Sequence, residues 1–368
     1  MNPIITKHPY TDDQGVYRFT LSGLNVSLAN GLRRTILSEI PTVVFHTETY
    51  NDNKCTILKN TGRLHNEFVK QRLSCIPIHS EDQEIVEKYI LEVNVKNDTD
   101  SIRMVTTEDF KIKNKETGNY LKEEATHRIF PANPITGMFI DFVRLRPSIG
   151  ETIGGEEIHL TSEFSIKTAK ENAMYNVASK SAYSFTLDED KIASTIESLK
   201  KQWQSEGLTQ DEIVFNTNNY KLLDIQRQHL ENSYDFAIQT VGVYSNEQLV
   251  KKGAIILHNK FVDFVKLIDE NQVPIIRSET TTENSYDIIL ENEDYTIGKI
   301  LEYIMYDKYY VKDPLLSFCG FKKLHPHNTS SIIRVAFVNK SEKSDIHPLL
   351  RTSAVEAGEV FKNVAQMF

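Results

Sequence analysis

The sequence predicts an α+β protein of several domains. Three observations carry this: strongly amphipathic helical stripes near both ends, a middle stretch patterned mostly as strands, and a closing segment that repeats the opening arrangement in miniature. A chain of 368 residues has room for two or three compact cores.

In chain order, residues 17–24 alternate as a strand, and Asn25 can cap the helix that follows. There Leu28, Leu32, Ile36 and Ile40 recur every four residues until Pro41 stops the helix, while Asn30, Arg33 and Arg34 lie off that stripe. Residues 42–50, rich in β-branched and aromatic types, read as a second strand. A turn at 60–62 leads to a short helix around 66–73, ending near Pro77. From 88 to 185 the pattern is mostly strand-like, broken by polar and Gly/Pro turns. Residues 188–219 are charged and rich in Asn and Gln, with one helical stretch at 192–203, and read as an exposed insertion.

Residues 234–244 return to strand. Ser245 and Gln248 have capping-box spacing before a long helix whose Leu249, Gly253, Ile256, Leu257, Phe261, Phe264 and Ile268 form a wide apolar stripe. Residues 269–284 are polar and aperiodic, hence a candidate linker. The miniature repeat follows: a strand at 286–290, then a helix capped by Thr296 and carrying Ile297, Ile300, Leu301, Ile304 and Met305. A further strand spans 332–338, and the closing helix carries Leu350, Ala354, Ala357, Phe361, Val364 and Phe368 in steps of four and three. Periodicity leaves two uses for that last stripe, folding back on its own sheet or pairing with another subunit.

The formal charge of −9 argues against a surface built mainly to neutralise nucleic-acid phosphates. Three scattered cysteines, Cys55, Cys75 and Cys319, form neither a disulfide framework nor a C-x-x-C pair and read as thiols in a reducing compartment. The first twenty residues lack an apolar signal core and no stretch approaches a membrane span, so the expectation is an intracellular, soluble protein. No catalytic constellation emerges. Asp98 and Asp100 lack the further ligands that two-metal chemistry needs, His325 and His327 lack a third ligand, and the Gly-Gly at 154–155 lacks the lysine and helix of a phosphate loop.

Several of these segments also match a known family. LSGLNVSLANGLRRTILSEIPT (residues 21–42), NTGRLHNEFVKQRLSCIPI (60–78), KTAKENAMYNVASKSAYSF (167–185) and YDFAIQTVGVYSNEQLVKKGAIIL (234–257) resemble the alpha-like, D-type subunit of multisubunit RNA polymerases. EDYTIGKILEYIM (293–305) and FCGFKKLHPHNTSSIIRVAF (318–337) resemble its smaller L-type partner. The combination resembles the fused subunits of large DNA viruses. It implies an alpha-like dimerisation fold with an inserted β-rich domain, followed by a fused L-type α/β sandwich. The implied plan is a discontinuous D-type domain at 1–45 and 220–270, an inserted domain at 46–187, the charged insertion at 188–219, the linker at 269–284 and the L-type domain at 285–368.

The implied function is that of a non-catalytic assembly platform. Helices at 26–40, 247–269, 297–306 and 350–368 would pair within the chain, an interface of obligate type burying on the order of 2,000 Å² or more. The implied partners are the largest, second-largest and small polymerase subunits, with DNA and RNA met only through the complex, and neither a membrane nor a homodimer. Arg33, Arg34 and Asn30 would face a large subunit, although off-stripe arginines on a helix are also commonly plain solvent surface. The location would be host cytoplasm or virion for a viral protein and the nucleus otherwise. A free-standing dimerisation scaffold or transcription regulator, or an enzyme with an unrecognised site in the inserted domain, would be the competing readings.

Some D-type subunits hold zinc or an iron–sulfur cluster in the inserted domain, but no cysteine lies between Cys75 and Cys319, so no cofactor is expected. Elemental analysis of the purified chain should find no stoichiometric zinc or iron; about one metal per chain would contradict the reading.

Overall fold

The computed structural model describes residues 1–8, 15–82, 84–150, 152–279 and 282–368. The chain folds as two units, Met1–Ile36 with Lys180–Gln239 and Asn246–Phe368, and Leu37–Ser179 with Thr240–Ser245.

The first unit holds two four-stranded sheets. One runs in the order Ile4–Lys7, Tyr17–Ser22, His229–Thr240, Ala178–Leu187, and the other Ile275–Arg277, Ser285–Leu290, Ser331–Phe337, Leu316–Lys322. Counted along the sequence, both have the order first, second, fourth, third. In both, a helix follows the second strand and another follows the fourth: Val26–Ser38 and Asn246–Asp269 in the first repeat, Tyr295–Tyr306 and Ile346–Gln366 in the second. The repeats differ in their connections. Between its first helix and third strand the second repeat has only the π-helical turn Asp307–Lys312, whereas the first repeat has nearly all of the other unit there.

Local chemistry explains the boundaries. Asn25 Oδ1 accepts from Ser27 N at 2.9 Å and starts the first helix, whose Leu28, Ala29, Gly31, Leu32, Thr35 and Ile36 are buried. The second-repeat helix is capped by Asp294, not Thr296: the Asp294 carboxylate accepts from Thr296 N at 2.8 Å. An aspartate one residue outside the helix reaches that donor, while Thr296 is already helical and buried. On the long helix, Leu249, Gly253, Leu257 and Phe261 form the buried seam at steps of four, and Ile256 is only half-buried at its margin. One residue of helix turns a side chain through about 100°, which is why Ile256 drops out.

Other expectations shift as well. The strand expected over 42–50 is three residues, Thr42–Val44, paired with Ser165–Lys167. The expected insertion at 188–219 forms two helices, Glu189–Ser205 and Gln210–Leu223, the second opened by a reciprocal capping box between Thr209 and Glu212. Its Asn-rich faces conceal the periodicity. Asp269 ends the long helix, and Ile275–Arg277 is an edge strand on Ser285–Leu290, so the candidate linker is partly sheet; Thr280 and Thr281 fall outside the described residues. Ala178–Leu187, expected at the end of the inserted domain, hydrogen-bonds to His229–Thr240 and so joins the first sheet.

The second unit is built on the sheet Cys55–Asn60, Glu157–Glu163, Tyr89–Lys96, Lys111–Asn114, with the pair Arg103–Thr106 and Asp141–Leu145. Helices Asn66–Ser74, Glu84–Lys88 and Glu123–Ile129 accompany it, the last inside a stretch expected to be strand. Its core contains Phe45, Phe110, Phe130, Phe142 and Phe164. Gly155 is required by packing: a Cβ there would lie 1.8 Å from the Asn97 carbonyl oxygen. Buried Asn97 in turn donates to the Ser101 and Leu145 carbonyls at 2.8 and 2.9 Å.

Phe361 is fully buried, whereas Phe215 on the helical insertion is 64% exposed. Phe361→Ala should therefore lower unfolding stability by about 3–5 kcal/mol. Phe215→Ser should stay within about 0.5 kcal/mol of the parent. Denaturant midpoints with the two effects equal would overturn this assignment of core and surface.

Candidate functional site

The features with most functional content are the contacts that hold the two repeats together. The long helix and the closing helix pack with Phe261 and Phe361 stacked at 6.0 Å and nearly parallel. Beside them, His258 Nδ1 donates to the Gly358 carbonyl at 2.9 Å, which fixes the proton on Nδ1. A Cβ on Gly358 would meet Phe261 Cβ at 3.4 Å, an ordinary contact, so the two helices lie close enough here for a small residue to fill the gap.

The other two helices meet at Gly31, where a Cβ would lie 2.6 Å from Ile300 Cδ1. One turn along, Arg34 reaches across to the second repeat: Nη2 donates to Asp294 Oδ2 at 2.8 Å and Nε to Thr296 Oγ1 at 2.9 Å. Asp294 thus divides its oxygens, Oδ1 capping the helix and Oδ2 pairing with Arg34. Gly253 joins the long helix to the first helix, since a Cβ there would come within 2.8 Å of Ile36 Cγ1. At the rim, Lys260 approaches Glu293 at 3.6 Å, and Arg351 grips Asp269 through two bonds of 2.7 and 3.1 Å. Phe368 sets its ring edge-on to Phe19 of the first sheet at 5.1 Å, so the closing helix serves the other repeat as well as its own.

Apart from Ile256, the stripe residues Leu28, Leu32, Ile36, Leu249, Phe261, Phe264, Ile297, Ile300, Leu301, Ile304, Leu350, Ala354, Ala357, Phe361 and Val364 are all buried in this unit. The two arginines separate. Arg34 is spent on the contact between repeats, whereas Arg33 Nε donates to Asn30 at 2.9 Å on its own helix and its carbonyl accepts from Ser181 Oγ. Burial pushes the nearby Tyr183 phenol up, and the Arg33 charge opposes that. Gly31, Asp294 and His258 were not selected from the sequence. Glycine inside a helix costs roughly 1 kcal/mol against alanine, and that cost is the available hint that Gly31 marks a close crossing.

The remaining candidates are joined by no further metal ligands among the described residues. Asp98 pairs with Lys96 at 2.7 Å in an exposed turn, and the His325 and His327 rings lie 5.2 Å apart. Among the described residues no group of three or more His, Cys, Asp or Glu could hold a metal ion. Burial pushes the Cys55 thiol up to about 11 and that of Cys319 to about 12, so both stay protonated and unreactive near neutral pH. Among the described residues no helix is long and apolar enough to cross a membrane.

Comparison with known proteins adds an independent line. Residues 18–261 match the family model described as the RNA polymerase Rpb3/Rpb11 dimerisation domain. That match ends within the long helix, before the second repeat begins. The chain is 24% identical over 291 residues to the DNA-directed RNA polymerases IV and V subunit 3B of Arabidopsis thaliana, covering 68% of this chain and 87% of the plant protein. Over 61 residues it is 39% identical to the DNA-directed RNA polymerase subunit Rpo3 of Thermococcus kodakarensis, 17% of this chain and 21% of the archaeal one. A conjugation stage-specific protein of Tetrahymena thermophila is 39% identical over 62 residues, 17% of this chain and 18% of its own length.

A double-mutant cycle on Arg34→Ala and Asp294→Ala should give a coupling of about 1 kcal/mol, since the pair is one-third exposed and partly screened. Asp294→Ala should cost about 0.5–2 kcal/mol more than Arg34→Ala through the lost cap. Zero coupling would remove the pair from the contact between repeats. Arg34→Glu should lower the melting temperature rather than leave the fold untouched.

Proposed function

Because the chain belongs to the RNA polymerase Rpb3/Rpb11 dimerisation-domain family, we propose that it is a non-catalytic assembly subunit of a DNA-directed RNA polymerase with both halves of the dimer in one polypeptide. The observation that carries the second half of this reading is the repeated sheet. Two four-stranded sheets of identical strand order, each with helices after its second and fourth strands, pair through those helices. That is the arrangement a heterodimer of related subunits would have if its members were joined. Relatives named as polymerase subunits in a plant and an archaeon support the cellular role.

In this reading the L-type half begins where Ile275–Arg277 pairs with Ser285–Leu290, and the short stretch before it acts as tether. A tether of that size holds the halves at an effective concentration around the millimolar range, so pairing within the chain outcompetes a homodimer. The platform docks the second-largest and then the largest subunit, together with small subunits, and meets DNA and RNA only through them. Arg33 and Asn30 form the docking surface on the first helix, while Arg34 keeps its internal task. Fusion of the two halves favours a large DNA virus as source, with assembly in host cytoplasm or virion; a cellular protein would work in the nucleus.

Affinity purification from the native setting tests this. Wild-type chain should bring down the large polymerase subunits, and Arg33→Glu should lose them while melting at the parent temperature. Truncating one member of a charged interface pair costs about 2–5 kcal/mol, and reversal adds repulsion. Recovery of the chain alone would refute the polymerase reading, and undiminished recovery by Arg33→Glu would return Arg33 to plain helix surface.

A further inference from the structure

The second unit contains a cleft of about 620 Å³ whose walls carry Arg63, Arg72, Arg144 and Arg146. It is a concentration of positive charge on a chain of net charge −9. The arginines come from three places: Arg63 from the turn before the helix Asn66–Ser74, Arg72 from that helix, and Arg144 and Arg146 from the strand Asp141–Leu145 and its end.

Their charges are only partly met. Arg146 is matched by Glu156, with Nε and Nη2 at 2.6 and 2.5 Å from one carboxylate oxygen. Arg72 donates to the Phe142 and Asp141 carbonyls at 2.6 and 2.9 Å. Those acceptors are neutral, so they fix the guanidinium without cancelling its charge. Among the described residues Arg63, Arg72 and Arg144 form no ion pair, and Asp141 is the one acidic side chain on the wall. Between the charges lie apolar groups, Leu64 at 38% exposure and Met104 at 44%.

We propose that this cleft receives an acidic peptide segment, carrying at least one apolar side chain, from a partner subunit of the polymerase. The proposal rests on the polymerase reading above. Guanidinium groups suit carboxylates, which they bind in two-point fashion, and the apolar patches between them suit a Leu or Phe anchor. Single-stranded nucleic acid fits less well: it is held by exposed aromatic faces along a continuous basic track, and the one aromatic ring on this wall, Phe142, is fully buried.

Site-specific photo-crosslinking from position 64 in the full chain tests the proposal, with the crosslinker incorporated in the native setting and the complex purified before mapping. The expected product joins position 64 to an Asp/Glu-rich stretch of a polymerase subunit. Its yield should fall at least about tenfold in Arg63→Glu/Arg144→Glu, since reversal turns attraction into repulsion at the two exposed arginines of the cleft. That variant should melt within a few degrees of the parent, because both side chains are exposed and Arg63 only assists Arg146 in holding Glu156 charged. A crosslink to nucleic acid, to a neutral or basic peptide, or to nothing in an otherwise assembled complex would overturn the cleft assignment alone. Unchanged yield in the charge-reversed variant would do the same. Absence of every polymerase subunit from the wild-type purification would refute the parent reading, and the cleft assignment would fall with it.

Discussion

The close approach of four helices is the constraint on which the first unit depends. Neither sheet is wide enough to bury its own helices on all sides, so each repeat leaves an apolar stripe that the other must cover. Glycine makes that cover possible. At Gly31 the space of a Cβ is already filled by Ile300 of the other repeat and at Gly253 by Ile36 of the same repeat, while at Gly358 a Cβ would make only ordinary contact with Phe261. Larger residues at Gly31 or Gly253 would force Ile300 or Ile36 to shift and forfeit weak dispersion contacts along the seam that also holds the Phe261–Phe361 stack. Helix propensity is sacrificed at these positions because tertiary packing returns more than the propensity is worth.

Electrostatics adds direction to this contact. Arg34 and Arg33 are adjacent, of the same type and equally off the apolar stripe, yet a rotation of one residue gives them different neighbours. Arg34 finds the carboxylate that also caps the opposing helix, and Arg33 remains on its own helix with Asn30. Across the second sheet Asp287 and Arg334 stand directly opposite in register and share two bonds of 2.6 and 2.7 Å. Both partners are largely buried, so removing either one would strand the charge of the other.

Elements that announce themselves by periodicity were legible in the sequence. The stripes built on Leu28, Leu249, Ile297 and Leu350 needed only helical spacing, and the strands around Phe236 and Ile333 needed only alternation. What escaped depends on tertiary context. The edge strand Ile275–Arg277 is too short to show a period, and the helix Gln210–Leu223 is masked by its asparagines. Asp294 and Gly31 owe their importance to partners 260 or more positions away in sequence, Arg34 and Ile300 respectively, which no local pattern reveals. The arginine cleft is similar: Arg63 and Arg72 share a motif, but only the fold brings Arg144 and Arg146 to them.

The contact of Phe368 with Phe19 bears on how the molecule is made. Phe19 and its neighbour Phe236, stacked at 5.0 Å, belong to the first sheet, and the ring set edge-on to Phe19 comes from two residues past the end of the closing helix. During translation the first repeat emerges with its stripe uncovered and waits for nearly the whole of the remaining chain. Such long-range closure is slow, and a nascent chain with exposed apolar helices is prone to aggregate. The second unit has its own core and lies between those two events in chain order. The first repeat is therefore exposed to misassociation for as long as the closing helix is unmade, an interval that lengthens as synthesis slows.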